Sequence, residues 1–335
     1  MSVDFDLATV WAFIIAFAVF AYVVLDGFDL GIGILFPAFG VGEERDSAMN
    51  SIAPVWDGNE TWLVLGGGGL MAAFPLAYAI LMPALYPPII AMLLALVFRG
   101  VAFEFRWRDP GHRRWWDLAF TLGSTLAALA QGIALGAILQ GVKVSGRAYG
   151  GGWLDWLTPF SLLTGASVVA GYAMLGACWL IWKTEGGCQR HAWRLAGRFG
   201  ALTVAAIAAV SLATLALAPG YGARWLSMPG VLLTAQVPLL VAIFAVLFWR
   251  ALKRRHEVQP FLLALGLFLL SFLGLGISVY PYIVPTAVTI WQAAAPQQSQ
   301  IFMLVGAGVL VPLILAYTAW AYWVFRGKVG AHGYH

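Results

Sequence analysis

Apolar positions along this chain fall in long, nearly unbroken runs, not in the alternation of a half-buried strand or the narrow stripe of a soluble amphipathic helix. Runs of about 20 apolar residues are what a hydrocarbon core of about 30 Å requires of a helix. Nine spans are predicted, at 8–30, 61–82, 84–105, 117–140, 158–182, 199–218, 231–251, 261–284 and 301–325. A single membrane domain over 1–335 accommodates them. Spans 1–4 (about 8–142) and 5–8 (about 157–286) are expected as two four-helix bundles, with span 9 (about 301–325) as a peripheral helix. Pro281 and Pro285 in SVYPYIVP should kink or shorten span 8, and 286–300 reads as a loop with a partial helix.

Composition narrows the class. Apolar residues make up 61% of the chain and charged residues 10%, and the mean hydropathy is +0.85, so the expectation is an all-α integral membrane protein in contact with the lipid bilayer. The first residues, MSVDFDL, carry acids where a signal peptide needs basic residues, so span 1 is read as an uncleaved helix. The net charge of +4 does not point to nucleic acid, because the basic residues lie in loops that flank spans. Cys178 and Cys188 show no disulfide or metal-ligand spacing. Trp107, Trp115, Trp116, Trp153, Trp156, Trp320, Tyr322 and Trp323 gather near span ends, as interface anchors do.

The distribution of the basic residues orients the helices. Fifteen of the 19 Lys and Arg (Arg45, Arg106, Arg108, Arg113, Arg114, Lys183, Arg190, Arg194, Arg198, Arg250, Lys253, Arg254, Arg255, Arg326 and Lys328) fall after spans 1, 3, 5, 7 and 9. Lys143, Arg147 and Arg224 fall on the opposite side, and Arg99 lies within span 3. The positive-inside rule then places the N-terminus outside, on the periplasmic side, and the C-terminus in the cytoplasm.

This topology gives meaning to the acids that interrupt the apolar runs. LDGFDLGIG (Leu25–Gly33) ends span 1, and SIAPVWDGNETWLVLGGGG (Ser51–Gly69) leads into span 2. Asp26 and Asp29 are three residues apart and share a helix face, as do Asp57 and Glu60. With Arg99 and Glu104 of span 3, five acids and one arginine are expected at similar depth near the cytoplasmic face. An acid at bilayer depth costs roughly 2.5–3.5 kcal/mol on insertion scales and marks function by default. The glycines at 27, 31 and 33 and the run Gly66–Gly69 are read as sites of close helix packing. They do not form a phosphate loop, since no Lys-Ser/Thr follows.

From the residues alone the cluster supports two readings, a static ion-pair network that pins three helices or a relay that takes protons from the cytoplasm. A proton-coupled transporter is a further alternative, and it would need a broken helix and a midplane site. All five histidines (His112, His191, His256, His332 and His335) fall in loops or the tail, so no paired axial haem ligands are expected at membrane depth. Metal binding is not expected, and any redox cofactor belongs to a partner.

The same stretches carry a family resemblance. LDGFDLGIG, NSIAPVWDGNETWL (Asn50–Leu63), FRGVAFEFR (Phe98–Arg106), LQGV (Leu139–Val142), YPYIVP (Tyr280–Pro285) and VPLILAYTAWAYW (Val311–Trp323) occur in order over nearly the whole chain. The sequence closely resembles subunit II of the bacterial cytochrome bd-type quinol oxidases. The short 219–230 loop is similar to the compact branch that includes the cyanide-insensitive enzymes. The resemblance implies a heterodimer in the bacterial inner membrane with a homologous subunit I holding two haems b and one haem d, with room for a small single-helix accessory subunit. Such a complex oxidises ubiquinol near the outer face and reduces O2 to water with protons from the cytoplasm, which makes the reaction electrogenic in aerobic respiration. This chain would then be a non-haem subunit, not catalytic alone, and some members hold a structural quinone in it. The resemblance assigns a proton path to Asp29 and Asp57 with Trp56 adjacent, and an O2 inlet near Trp62. The reading of the residues adds Asp26, Glu60, Arg99 and Glu104.

Overall fold

The computed structural model describes residues 6–217 and 219–329. It is a bundle of helices with two short two-stranded hairpins. Eight of the described helical segments are long and apolar enough to cross a membrane, which makes the chain a multi-pass membrane protein.

Helix α1 (Leu7–Leu35) begins at Asp6, whose carboxylate accepts from the Thr9 amide, and runs without interruption through LDGFDLGIG. A short helix α2 (Glu43–Asn50) follows. The region expected as one span, 61–82, is two helices, α3 (Trp56–Ala73) and α4 (Pro75–Ala84), divided at Phe74. Pro75 explains the division: it has no amide hydrogen to continue α3, and it suits the first turn of a new helix. Helices α5 (Tyr86–Arg108) and α6 (Arg113–Leu139) follow as an antiparallel pair. A small hairpin, β1 (Val144–Ser145) with β2 (Ala148–Tyr149), leads to α7 (Pro159–Lys183), which opens on a capping box between Thr158 and Ser161.

Helix α8 (Gly186–Leu217) starts 13 residues before the expected span. Its extra turns are amphipathic, with Cys188, Ala192, Ala196 and Gly200 buried at four-residue spacing. Two short helices, α9 (Pro219–Leu226) and α10 (Val231–Thr234), precede α11 (Gln236–Lys253), so the seventh span also begins with a break. Helix α12 (Gln259–Val279) ends early, as its prolines suggest. The hairpin of β3 (Tyr282–Val284) and β4 (Val288–Thr289) and the single turn α13 (Ile290–Ala293) then lead to α14 (Gln297–Val324).

The centre of the bundle is where α1 crosses α7. A Cβ on Gly31 would lie 1.9 Å from the Tyr172 carbonyl oxygen, and one on Gly176 would lie 2.5 Å from the Gly31 carbonyl carbon. Only two facing glycines permit that approach. Gly27 and Gly33 are also in close contact, with Tyr172 and Ser124. The glycine run in α3 divides: Gly66 and Gly69 face Val19 and Ile15, whereas Gly67 and Gly68 face open space.

Helix α14 is largely uncovered by the rest of the described chain. Two polar contacts hold its ends. Trp11 Nε1 donates to the Gln300 carbonyl (3.1 Å), and Tyr322 Oη donates to Asn59 Oδ1 (2.9 Å).

Candidate functional site: a buried acid–arginine cluster

Three helices, α1, α3 and α5, carry the charged residues of the site, and α6, α7 and α14 add uncharged polar ones. Arg99 of α5 is completely buried, and its guanidinium is ringed by carboxylates from two other helices. Arg99 Nη1 lies 2.6 Å from Glu60 Oε1 and 3.4 Å from Asp26 Oδ1, and Nη2 lies 3.9 Å from Asp29 Oδ2. Asp26 and Asp29 are as buried as the arginine, while the Glu60 side chain keeps 30% of its surface exposed. The three-residue spacings read from the sequence thus bring one face of α1 against the first turns of α3. Trp56 lies beneath Arg99, with the guanidinium carbon 5.6 Å from the ring centre, and its ring leans on Phe103 at 4.9 Å.

Not every expected member is drawn in. Asp57 and Glu104 are exposed, and Glu104 reaches Arg108 at 4.0 Å. The five acids expected at similar depth are therefore a buried trio around Arg99 with two acids outside it. Asp57 lies in the first turn of α3 and Glu104 near the last turn of α5, where solvent reaches both side chains. Trp62 is buried at 1% exposure and meets Phe17 edge-to-face at 5.6 Å.

Uncharged polar residues complete the site. Asn59 Nδ2 donates to Asp29 Oδ2 (2.8 Å) and its Oδ1 accepts from Tyr322 of α14. Toward the bundle interior, Tyr172 Oη donates to Gln131 Oε1 (2.7 Å), and Gln131 Nε2 donates to the Tyr22 hydroxyl (2.8 Å). Tyr22 stands one helical turn from Asp26 on α1 and interacts with it electrostatically. None of Asn59, Tyr22, Gln131 or Tyr172 was singled out from sequence. The available signals were the i,i+4 spacing of Tyr22 and Asp26 and the position of Asn59 beside Glu60.

Several buried atoms of the cluster have no hydrogen-bond partner among the described residues: Asp29 Oδ1 and Arg99 Nε and Nη2, while Asp26 is approached by the Tyr22 hydroxyl and by Arg99. Polar atoms left unsatisfied at this depth are costly and call for ordered water. One guanidinium also faces three carboxylates, so full ionisation would leave two uncompensated charges.

A second charged cluster lies two helical turns further along α5, and sequence reading missed it. Arg106 is buried and binds Asp117 of α6 (2.5 Å) and Asp46 of α2 (2.7 Å), while Arg45 binds the other oxygen of Asp117 (2.7 Å). Arg113 approaches Asp46 at 3.8 Å, and the Phe36 ring is flanked by the guanidinium groups of Arg45 and Arg106. Close by, His191 Nδ1 and the Gly40 amide both bind Glu44 Oε2 at 2.8 Å.

Neither cluster resembles a metal centre. Among the described residues no group of three or more His, Cys, Asp or Glu could hold a metal ion. His112 and His191 are engaged by Asp109 and Glu44, and His256 is exposed. His332 and His335 lie outside the described residues.

A profile of the cytochrome bd terminal oxidase subunit II family matches residues 7–325, nearly the whole chain. The chain belongs to that family. This subunit II shares 28% identity over 365 residues with subunit 2 of the cytochrome bd-I ubiquinol oxidase of Escherichia coli K12, covering 98% of this chain and 96% of the relative. It shares 27% over 336 residues with cytochrome bd ubiquinol oxidase subunit 2 of Bacillus subtilis 168, covering 97% of each. Its fold also matches that of a chain in the solved bd oxidase from Geobacillus thermodenitrificans, with a TM-score of 0.76 at 19% identity over 97% of this chain and 100% of that one. Subunit II of a bd-type oxidase is thus part of an oxidoreductase complex and implies a subunit I beside it.

Proposed function

We propose that this subunit II supports a haem-bearing subunit I in quinol oxidation and O2 reduction and supplies that site with protons through the Arg99 cluster. The observation that carries this reading is the surplus of acid: three carboxylates around one guanidinium, with buried polar atoms left for water to bridge. A static network would balance its charges and satisfy its atoms. An acidic surplus does neither, and proton uptake is what balances it.

In this reading the partly exposed Glu60 exchanges protons with solvent while held by Arg99, with Asp57 at the mouth. Asp26 and Asp29 receive them, and Arg99 keeps the acids from accumulating negative charge together. Asn59 orients Asp29, and the Tyr172–Gln131–Tyr22 chain orients the polar groups on the inner side of Asp26. The amide of Gln131 is a poor carrier of an excess proton, so in this reading the Tyr172–Gln131–Tyr22 chain orients the cluster and does not carry protons onward. Trp56 and Glu104 border the path, and Trp62 lies at the proposed O2 inlet. The proposal includes the two haems b and one haem d in subunit I, a structural quinone, ubiquinol as reductant, and a small accessory helix. It places the chain in the bacterial inner membrane with nine crossings, the broken pair α3–α4 forming one, and with the basic end of the bundle in the cytoplasm.

A transporter would also suit a broken helix. The break at Phe74 is 14 residues from Glu60, about 21 Å along a helix, so the break and the acids do not form one midplane site.

The test is Asp29→Asn and Asp26→Asn in the assembled complex. Haem content should match the parent while quinol-driven O2 consumption falls about tenfold, a barrier change of about 1.4 kcal/mol. Full turnover in both assembled variants would sink the proposal.

A further inference from the structure

The hairpin of α11 and α12 carries a feature that the proton path does not use. Leu247, Arg250, Ala251 and Arg254 form one stripe of α11 at helical spacing, and Gln259, Leu262 and Leu263 form the facing stripe of α12. Between them is a groove of about 490 Å³. Ala251, 3% exposed, is its floor. Its leucines, Leu247, Leu262 and Leu263, lie on the side away from the turn between α11 and α12, and Arg254 and Gln259 lie at the turn with Arg250 one helical turn from it.

The charges at the turn end are uncompensated. Arg250 and Arg254 make no ion pair among the described residues, and no carboxylate lines the groove. Glu257, in the connecting loop, is occupied by Lys328 (2.9 Å) and Gln189 (2.8 Å). Arg255 is turned onto the Trp193 ring, 4.9 Å away. The first turn of α12 adds to the positive field, because Val258 gives it no side-chain cap. The arrangement is the reverse of that around Arg106, where each guanidinium meets a carboxylate.

From these observations we propose that the α11–α12 groove is a binding site for an anionic glycerophospholipid of the leaflet at the basic end of the bundle. The phosphate sits between Arg250 and Arg254 with Gln259 donating to it, and an acyl chain lies along Leu247, Leu262 and Leu263 over Ala251. The occupant is a lipid and not a free anion because the apolar half of the groove continues from the phosphate position into the depth of the membrane. Basic pockets between membrane helices recognise lipid headgroups in this way. The proposal is independent of the proton-path reading.

The experiment uses the complex purified from membranes, delipidated and re-exposed to equal dioleoyl-phosphatidylglycerol and dioleoyl-phosphatidylcholine, with retained lipid counted by native mass spectrometry. The expected result is retention of the anionic lipid over the zwitterionic one by about tenfold. The double variant R250Q/R254Q should bring the ratio near parity, and Q259E should lower it. K253Q removes a neighbouring charge off the stripe and should leave it unchanged. Parity in the parent protein, an unchanged preference in R250Q/R254Q, or an equal loss in K253Q would overturn the site. Displacement of the lipid by glycerophosphate as readily as by intact lipid would also overturn it, because it would mark a free-anion site. Thermal unfolding of each variant reports whether it is folded.

Discussion

The two charged clusters on α5 lie seven residues apart, about 10 Å along the helix axis, and they are built on opposite principles. Around Arg106, Arg45, Asp46 and Asp117 the close contacts are short, between 2.5 and 2.7 Å, and bases and acids are nearly balanced. Around Arg99 one base serves three acids at 2.6, 3.4 and 3.9 Å, and several buried atoms have no partner. A balanced network holds helices in place because any change of protonation breaks it. An acidic surplus tolerates changes of protonation, and that tolerance is what a conduit needs. The same chemical groups on the same helix are therefore set to different tasks by stoichiometry.

The most severe way to break the comparison is R106M. It leaves Asp117 with Arg45 alone and Asp46 with only the more distant Arg113; loss of one partner of a buried pair costs about 3–5 kcal/mol, and the remaining partners put the expected cost at the lower end. A clear fall in the unfolding temperature of the purified complex is expected, and a parent-like transition would show that the balanced cluster is not structural. Next in size is E60Q, which removes the acid that contacts both solvent and Arg99. It should leave the unfolding temperature nearly unchanged and slow O2 consumption about tenfold, whereas unfolding without slowing would make the Arg99 cluster a clamp like its neighbour. N59L tests whether orientation matters inside the acidic cluster. Loss of its hydrogen bonds to Asp29 and Tyr322 should cost about 1 kcal/mol each and slow turnover less than E60Q does.

The smallest effect concerns Glu44, outside the membrane. Burial alone would raise its carboxyl, but hydrogen bonds from the Gly40 amide and His191 bring it below the ordinary value of 4.5. A depressed folded-state value gives stability that is present above the unfolded value and lost as pH falls through the folded one. The pair is partly exposed, so the expected loss below about pH 4.5 is on the order of 0.5 kcal/mol. Unfolding temperatures of parent and E44Q should converge as the pH is lowered.

Much of this was legible in the sequence because lipid leaves few choices: long apolar runs must be helices, and acids within them must turn inward. Asp26, Asp29, Glu60 and Arg99 were found that way. Asp46 and Asp117 were not, because they stand beside arginines at helix ends, where a charge looks solvated. Asn59, Tyr22 and Gln131 carry no charge to set them apart. The early start of α8 was available in the stripe Cys188, Ala192, Ala196 and Gly200, which the density of basic residues around it obscured. The division of α3 from α4 was available in Pro75. Side-chain distances, which separate Glu60 from Asp57, were not, because they depend on how far α5 slides along α1.

The contact between Tyr322 and Asn59 has a consequence for biosynthesis. Asp26, Asp29, Asn59, Glu60 and Arg99 all leave the ribosome within the first third of the chain, yet the residue that fixes Asn59 from the other side is among the last to be made. Until α14 is inserted, the acid cluster is open on that side. A nascent chain stalled before α14 would carry its acids and its arginine without the hydrogen bond that orients them, so insertion of the final helix is also the step that closes the site.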